Sequence, residues 1–154
     1  MRGFRFEGIE QARPAPGVLD AIRGADAVVL GPSNPWVSLD PILSVPGIRE
    51  AMAGQRVMAV SPIIAGSAVK GPAAKMFSEL GITPSAQAVA DHFRGLVTDF
   101  VLDHADSILR SEIESQGVTP WLAKTMMSTR DDRLELAGEV LGFLGTPVPQ
   151  VRLT

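Results

Sequence analysis

The chain has 154 residues, 45% hydrophobic and 20% charged, with a formal net charge of −3 and no cysteine. This balance fits one folded domain with a sizeable core and argues against disorder. The slight acidity speaks against non-specific nucleic-acid binding, and the missing thiols exclude disulfides, thiolate zinc sites and cysteine nucleophiles. No apolar run reaches the ~18 residues that a membrane span needs. The segment Met1-Arg2-Gly3-Phe4-Arg5-Phe6-Glu7 has neither the apolar centre nor the small-residue cleavage site of a signal peptide. A cytoplasmic protein with no membrane or nucleic-acid partner is the expectation.

In chain order, the alternating Phe4-Arg5-Phe6 suggests a short strand. Val18–Arg23 reads as a short helix stopped by Gly24. Ala27–Leu30 is a continuous apolar run, the pattern of a strand buried on both faces. A loop follows from Gly31 to Pro41, where Asp40 and Pro41 suit an N-cap and first helical turn. Pro46 restarts the helix, which runs through Ile48, Ala51 and Met52 to Gly54. Arg56–Val60 is the next buried strand, and Ser61–Pro72 a second loop.

Gly71 and Pro72 open a helix carrying Met76, Phe77 and Leu80, closed by Gly81; Thr83 caps another, through Val89 and Phe93 to Gly95. Leu96–Leu102 is the third strong strand. A helix from Ala105 to Ile113 places Ile108, Leu109 and Ile113 on one face. Val118–Ala123 is a weaker strand, because Pro120 would remove a ladder donor at a central position. Thr129 and Asp132 form a capping-box pattern ahead of a final helix bearing Leu134, Leu136, Ala137, Val140, Leu141 and Leu144, and the tail from Pro147 reads as loose. Strands alternating with helices imply right-handed crossovers and a Rossmann-like, three-layer α/β domain with a mostly parallel sheet, residues 1–154 forming a single domain.

The two loops carry the chemistry. Open parallel sheets bind ligands outside the carboxyl ends of their strands. The first loop, Gly31-Pro32-Ser33-Asn34-Pro35-Trp36, offers a hydroxyl, an amide and a large ring that either stacks on a ligand or packs on the sheet rim. The second runs from Ser61 to Lys70-Gly71-Pro72. Its two glycines are spaced as in a P-loop, but no Lys-Ser/Thr pair follows, so that reading fails. Lys70 beside a helix start, with the amides of Ala73 and Ala74 exposed there, suits an anion, and a solvated lysine is the plain alternative. His92 and His104 read as helix-surface or helix-end residues, and no metal ligands are assigned among Asp26, Asp40, Asp99 and Asp103.

Taken in order, Gly31-Pro32-Ser33-Asn34-Pro35, Pro41-Ile42-Leu43, Pro46-Gly47-Ile48-Arg49, Val60-Ser61-Pro62-Ile63-Ile64, Lys70-Gly71-Pro72-Ala73-Ala74-Lys75-Met76 and Phe100-Val101-Leu102-Asp103 resemble the 2-phospho-L-lactate transferase family of coenzyme F-420 biosynthesis, as does the closing Leu136-Ala137 helix. The resemblance implies transfer of a phospholactyl or phosphoenolpyruvyl group from a guanosine diphosphate-linked donor to the ribityl hydroxyl of the deazaflavin Fo, with GMP leaving and Mg²⁺ required. It carries Ser33, Asn34, Ser61, Lys70 and Gly71 over as candidate ligands of donor and deazaflavin.

The resemblance covers about the C-terminal half of such enzymes, and their glycine-rich strand-loop and acidic metal-holding residues have no counterpart here. Where the family tends to have Asp-Thr-Leu-Met, this chain reads Lys124-Thr125-Met126-Met127. Two readings of different class stand: a transferase, and a catalytically incomplete nucleotide- or deazaflavin-binding module that needs a partner chain. A third is a plain α/β domain with well-made loops. A half-domain exposes a sheet edge and helix faces, so a homo-oligomer covering them is expected.

Overall fold

The computed structural model describes residues 3–68 and 73–145. In chain order these form α1 (Val18–Arg23), β1 (Val28–Leu30), α2 (Asp40–Leu43), α3 (Ile48–Ala51), β2 (Val57–Val60), β3 (Ile63–Ile64), β4 (Ser67–Ala68), α4 (Ala73–Glu79), α5 (Ala86–His92), β5 (Asp99–Asp103), α6 (Arg110–Ser115), β6 (Thr119–Ala123) and α7 (Arg130–Phe143). The four main strands lie side by side in the order β1-β2-β5-β6, every neighbour parallel. Because the order marches one way, right-handed crossovers put their helices on one face. That face holds the larger core, where Val57, Ala59, Phe100 and Leu102 meet Ile48, Phe77, Val89, Phe93 and Ile113. The opposite face is lined by Met58, Val60, Val101 and Ala123 under Leu136 and Val140 of α7. The result is the three-layer, Rossmann-like α/β arrangement that the alternation of elements implies.

Several local expectations are corrected. Residues 3–6 form no strand; Phe4 instead packs against Trp36, with ring centroids 6.2 Å apart. Asp40 is not a cap. The first loop winds as a π-helical turn over Pro35–Leu39 with Asn34 at its head, and Asp40 opens α2 behind it. The α5 cap is Ser85, whose hydroxyl accepts from the Ala88 amide, not Thr83. Gly47 fits the sharp entry to α3: its φ is 92°, and a Cβ there would stand 3.3 Å from the Leu19 side chain.

The third strand begins at Asp99, because Leu96 and Val97 still close a turn on the Phe93 carbonyl. The stretch after it winds first as a 3-10 helix, His104–Leu109, before α6. Three residues per turn shift the facing, so Ile108 is 86% exposed while Ile113 is buried. On α7, Leu134 and Ala137 face solvent and Leu136 and Val140 carry the contact. Thr129 and Asp132 do make the capping box.

β6 is an edge strand, and Pro120 costs it no ladder bond. Thr119 donates to the Thr98 carbonyl, so the next nitrogen along, that of Pro120, turns to the free edge. The Gly71–Pro72 helix start and the tail from Pro147 lie outside the described residues.

Candidate functional site at the carboxyl rim

Four parallel strands send their carboxyl ends to one rim. Topology alone therefore places the segments after β1 (Ser33, Asn34), β2 (Ser61 and the β3–β4 hairpin), β5 (Asp103, Asp106) and β6 (Lys124, Thr125) side by side.

Asn34 organises the first of these. Its Oδ1 accepts from the amides of Trp36 at 3.0 Å and Val37 at 3.2 Å, satisfying two orphan donors of the π turn. Its Nδ2 donates to the Met76 sulfur at 3.2 Å, which ties the first loop to α4, the helix that follows the second. Trp36 packs rather than stacks on a ligand: it is buried, edge-on to Phe77 at 4.6 Å and to His92 at 5.5 Å. His92 sits at the end of α5 and donates from Nε2 to Asp40 at 2.9 Å, which draws the Asp40 carboxylate away from any capping role. Ser33 is exposed, its amide folded onto the Gly31 carbonyl, and its hydroxyl makes no hydrogen bond among the described residues.

Ser61 serves the second loop from within. Its hydroxyl is buried, donates to the Ile63 carbonyl and accepts from the Ile63 amide, closing the turn into the hairpin. Lys70 and Gly71 lie outside the described residues.

Two carboxylates after β5 brace the rim. Asp103 accepts from the Ala105 amide through Oδ1, and from the Thr125 amide at 2.9 Å and hydroxyl at 3.1 Å through Oδ2. Burial pushes its carboxyl up, but these hydrogen bonds outweigh burial and hold it below the usual range. Asp106, 5% exposed, takes the Ala65 amide at 3.1 and 3.2 Å. Ala65 is the hairpin tip and the sole non-glycine of positive φ among the described residues, at 48°. Burial raises the Asp106 carboxyl, the Ala65 amide pulls it back, and the charge of Asp103 adds to the rise. One short stretch thus holds the loop after β6 with one arm and the hairpin after β2 with the other. Asp103 is legible in the sequence as a strand-end acid; the signal for Asp106 is its place three residues beyond it.

Lys124 is drawn onto α7, 2.6 Å from Asp132 and 3.7 Å from Glu135. The Mg²⁺ that the resemblance implies does not fit the residues present. Among the described residues no three His, Asp or Glu side chains come together, and both rim carboxylates are spent on the hydrogen bonds above.

A cleft of about 430 Å³ at the amino ends of β2 and β5 is lined by Arg49, Gln55, Arg94 and Thr98, with Arg94 paired to Asp91. Beside it, Arg56 and Asp99 form a bidentate pair that Trp121 and Thr98 complete, and Arg56 also donates to the Phe143 carbonyl at 3.0 Å. This cluster ties the end of α7 to the sheet.

Fold and rim define a Rossmann-like α/β domain, an architecture whose members bind ligands outside the carboxyl ends of their parallel strands. Comparison with known proteins sharpens the class. The family model for "2-phospho-L-lactate transferase CofD" matches residues 2–133, and the chain belongs to that family. The 2-phospho-L-lactate transferase of Methanosarcina barkeri is 36% identical over 146 residues, 95% of this chain and 47% of the relative. The phosphoenolpyruvate transferase of Streptomyces griseus is 42% identical over 137 residues, 87% of this chain and 43% of the relative. That of Thermobifida fusca is 48% identical over 105 residues, 68% of this chain and 33% of the relative. The chain spans less than half the length of these curated relatives.

Proposed function

We propose that this chain, as a single α/β domain in the cytoplasm, provides a substrate-binding rim for transfer of a phospholactyl or phosphoenolpyruvyl group from a guanosine diphosphate-linked donor to the deazaflavin Fo in coenzyme F-420 biosynthesis. The ribityl hydroxyl oxygen attacks the phosphorus that carries the acid, GMP departs with the bridging oxygen, and the hydroxyl proton is released. Beside family membership, the observation that supports this reading is the Asn34–Met76 contact, which fixes the loop after β1 against α4, the helix that follows the Ser61–Pro72 loop.

The candidate ligands divide by what their groups are free to do. The Ser33 hydroxyl faces solvent and can reach an anion. Asn34 and Ser61 spend their side chains on the backbone bends, so their part is to set which amides the loops present. Lys70 and Gly71 would supply a cation and a backbone amide. Mg²⁺ would need carboxylates from beyond this chain, such as the part of the family's length that it does not span, since every Asp and Glu of the chain lies among the described residues.

The second reading, a binding module that needs a partner chain, is favoured by the same lack of a fitting metal set. Calorimetry with GDP and with Fo tests both readings, and failure of both ligands to bind refutes them. Binding accompanied by GMP release from donor and Fo selects the transferase. Binding with no release selects the module.

A further inference from the structure

We infer that the free edge of β1, centred on Val29, is a docking seam for a further parallel strand from the half of the family's length that this chain does not span. The inference deepens the reading of a module that needs a partner, and it rests on the sheet rather than on the transfer chemistry.

Val28 donates to the Arg56 carbonyl, and the β1–β2 register pairs Val28 with Val57. In a parallel ladder alternate residues point to alternate sides. The N–H and C=O of Val29 therefore turn away from β2, and no partner for them is found among the described residues. The side chain is equally uncovered. Val29 lies on the α7 face and is 45% exposed, while Met58, its register partner on β2, is 0% exposed. The cover of α7 stops at β2. Parallel sheets are normally covered on both faces, so Val29 is an exception in backbone and side chain at once.

Handedness specifies what fits. This chain winds from β1 through β2 and β5 to β6 with its crossover helices on one face. A winding that leaves β1 in the other direction, again with right-handed crossovers, puts its helices on the α7 face, which is the one left bare over Val29. Each relative is more than twice as long as its matched part, so each has the material for that second winding. The junction between the windings is the point where such sheets bind ligands, and the Ser33 loop leaves β1 there. A second copy of this chain fits less well. A twofold axis normal to the sheet would pair β1 with β1 antiparallel and send the two Ser33 loops to opposite rims.

The test is co-expression of this chain, carrying an affinity tag, with the part of the Streptomyces griseus relative that it does not match. Sedimentation velocity is then run on the captured material and on the chain alone. A 1:1 complex is expected. Val29→Pro removes the outward N–H and no ladder bond to β2, so it should weaken the complex at least tenfold and leave the chain folded. If Val29→Pro misfolds by circular dichroism, Val29→Lys takes its place. Absence of a complex with the unaltered chain overturns the proposal, as does a complex indifferent to the variant. A dimer of the chain alone that Val29→Pro dissolves would also overturn it, and would make a second copy the occupant, as the homo-oligomer expectation has it. GMP release does not enter the readout, so failure of the transfer reading leaves this outcome unaffected.

Discussion

The side-chain amide of Asn34 donates to the sulfur of Met76 across 3.2 Å, so the loop that leaves β1 is held to helix α4 by one contact. The same residue heads the π turn through its other side-chain atom. A single amide therefore sets both the shape of the first loop and its distance from α4. Such a turn is an uncommon winding that is often found where a chain has a task beyond packing.

Asn34→Ala should cost about 1–2 kcal/mol in urea unfolding, since it orphans two amides at once. Asn34→Asp keeps the accepting oxygens and loses only the donor to Met76, so it should cost less. Both variants should weaken GDP binding, the alanine more. Unfolding free energies that are equal for the two would show that the cap contributes little.

Lys70→Ala should weaken GDP binding about tenfold, near 1.4 kcal/mol, and leave stability unchanged. The loss should shrink as salt is raised, because the contact is between charges. Titration calorimetry at two ionic strengths reads both effects. Unaltered GDP affinity removes Lys70 from the site.

Asp106 predicts a pH effect of definite sign. Its carboxyl is raised in the folded state, so between the ordinary aspartate range and that raised position the native state binds more protons than the unfolded one. Stability should therefore fall as pH rises through this window. Asp99 and Asp103 act in the opposite sense. For Asp99 burial pushes upward, but hydrogen bonds from Arg56, Trp121 and Thr98 win and lower it. The stability contributed by these two is present above the ordinary range and lost as pH falls through their lowered positions. Asp106→Asn should remove the downward slope and leave the acid limb intact, as read from urea midpoints at successive pH values. Asp106→Ala should in addition speed hydrogen exchange at the Ala65 amide, which loses its acceptor.

Asp99→Ala should destabilise by about 2–3 kcal/mol, because it strips Arg56, Trp121 and Thr98 of a shared acceptor. Arg56 is more than a third exposed, so water replaces part of the loss. GDP binding should be unaffected, since this cluster sits at the amino ends of the strands. Thermal unfolding together with calorimetry on the same variant checks both statements.

Much of this molecule is legible along the chain. The runs at Val57–Val60 and Phe100–Leu102 are continuous and apolar because both faces of the parallel sheet are buried there; Val28–Leu30 has the same pattern although Val29 is left exposed on one face. The Thr129–Asp132 box is equally local, its two partners three residues apart. The caps were harder. Asn34, Asp40, Thr83 and Ser85 all have the chemistry of a cap. Asp40 is taken by His92, 52 positions away, and Asn34 is left with the task. The facing of Ile108 departs from the helical expectation because His104–Leu109 winds with three residues per turn, and so short a segment leaves no period that distinguishes it from an α-helix in sequence.

The order of residues, then, determined the elements and the family, because apolar runs, turn residues and short-range caps act through neighbours a few positions apart. Tertiary structure decided which polar groups remain available to a ligand. Asn34 meets Met76 across 42 positions, and Asp106 meets Ala65 across 41. Contacts of that separation exist only once the strands lie side by side and bring their ends to one rim.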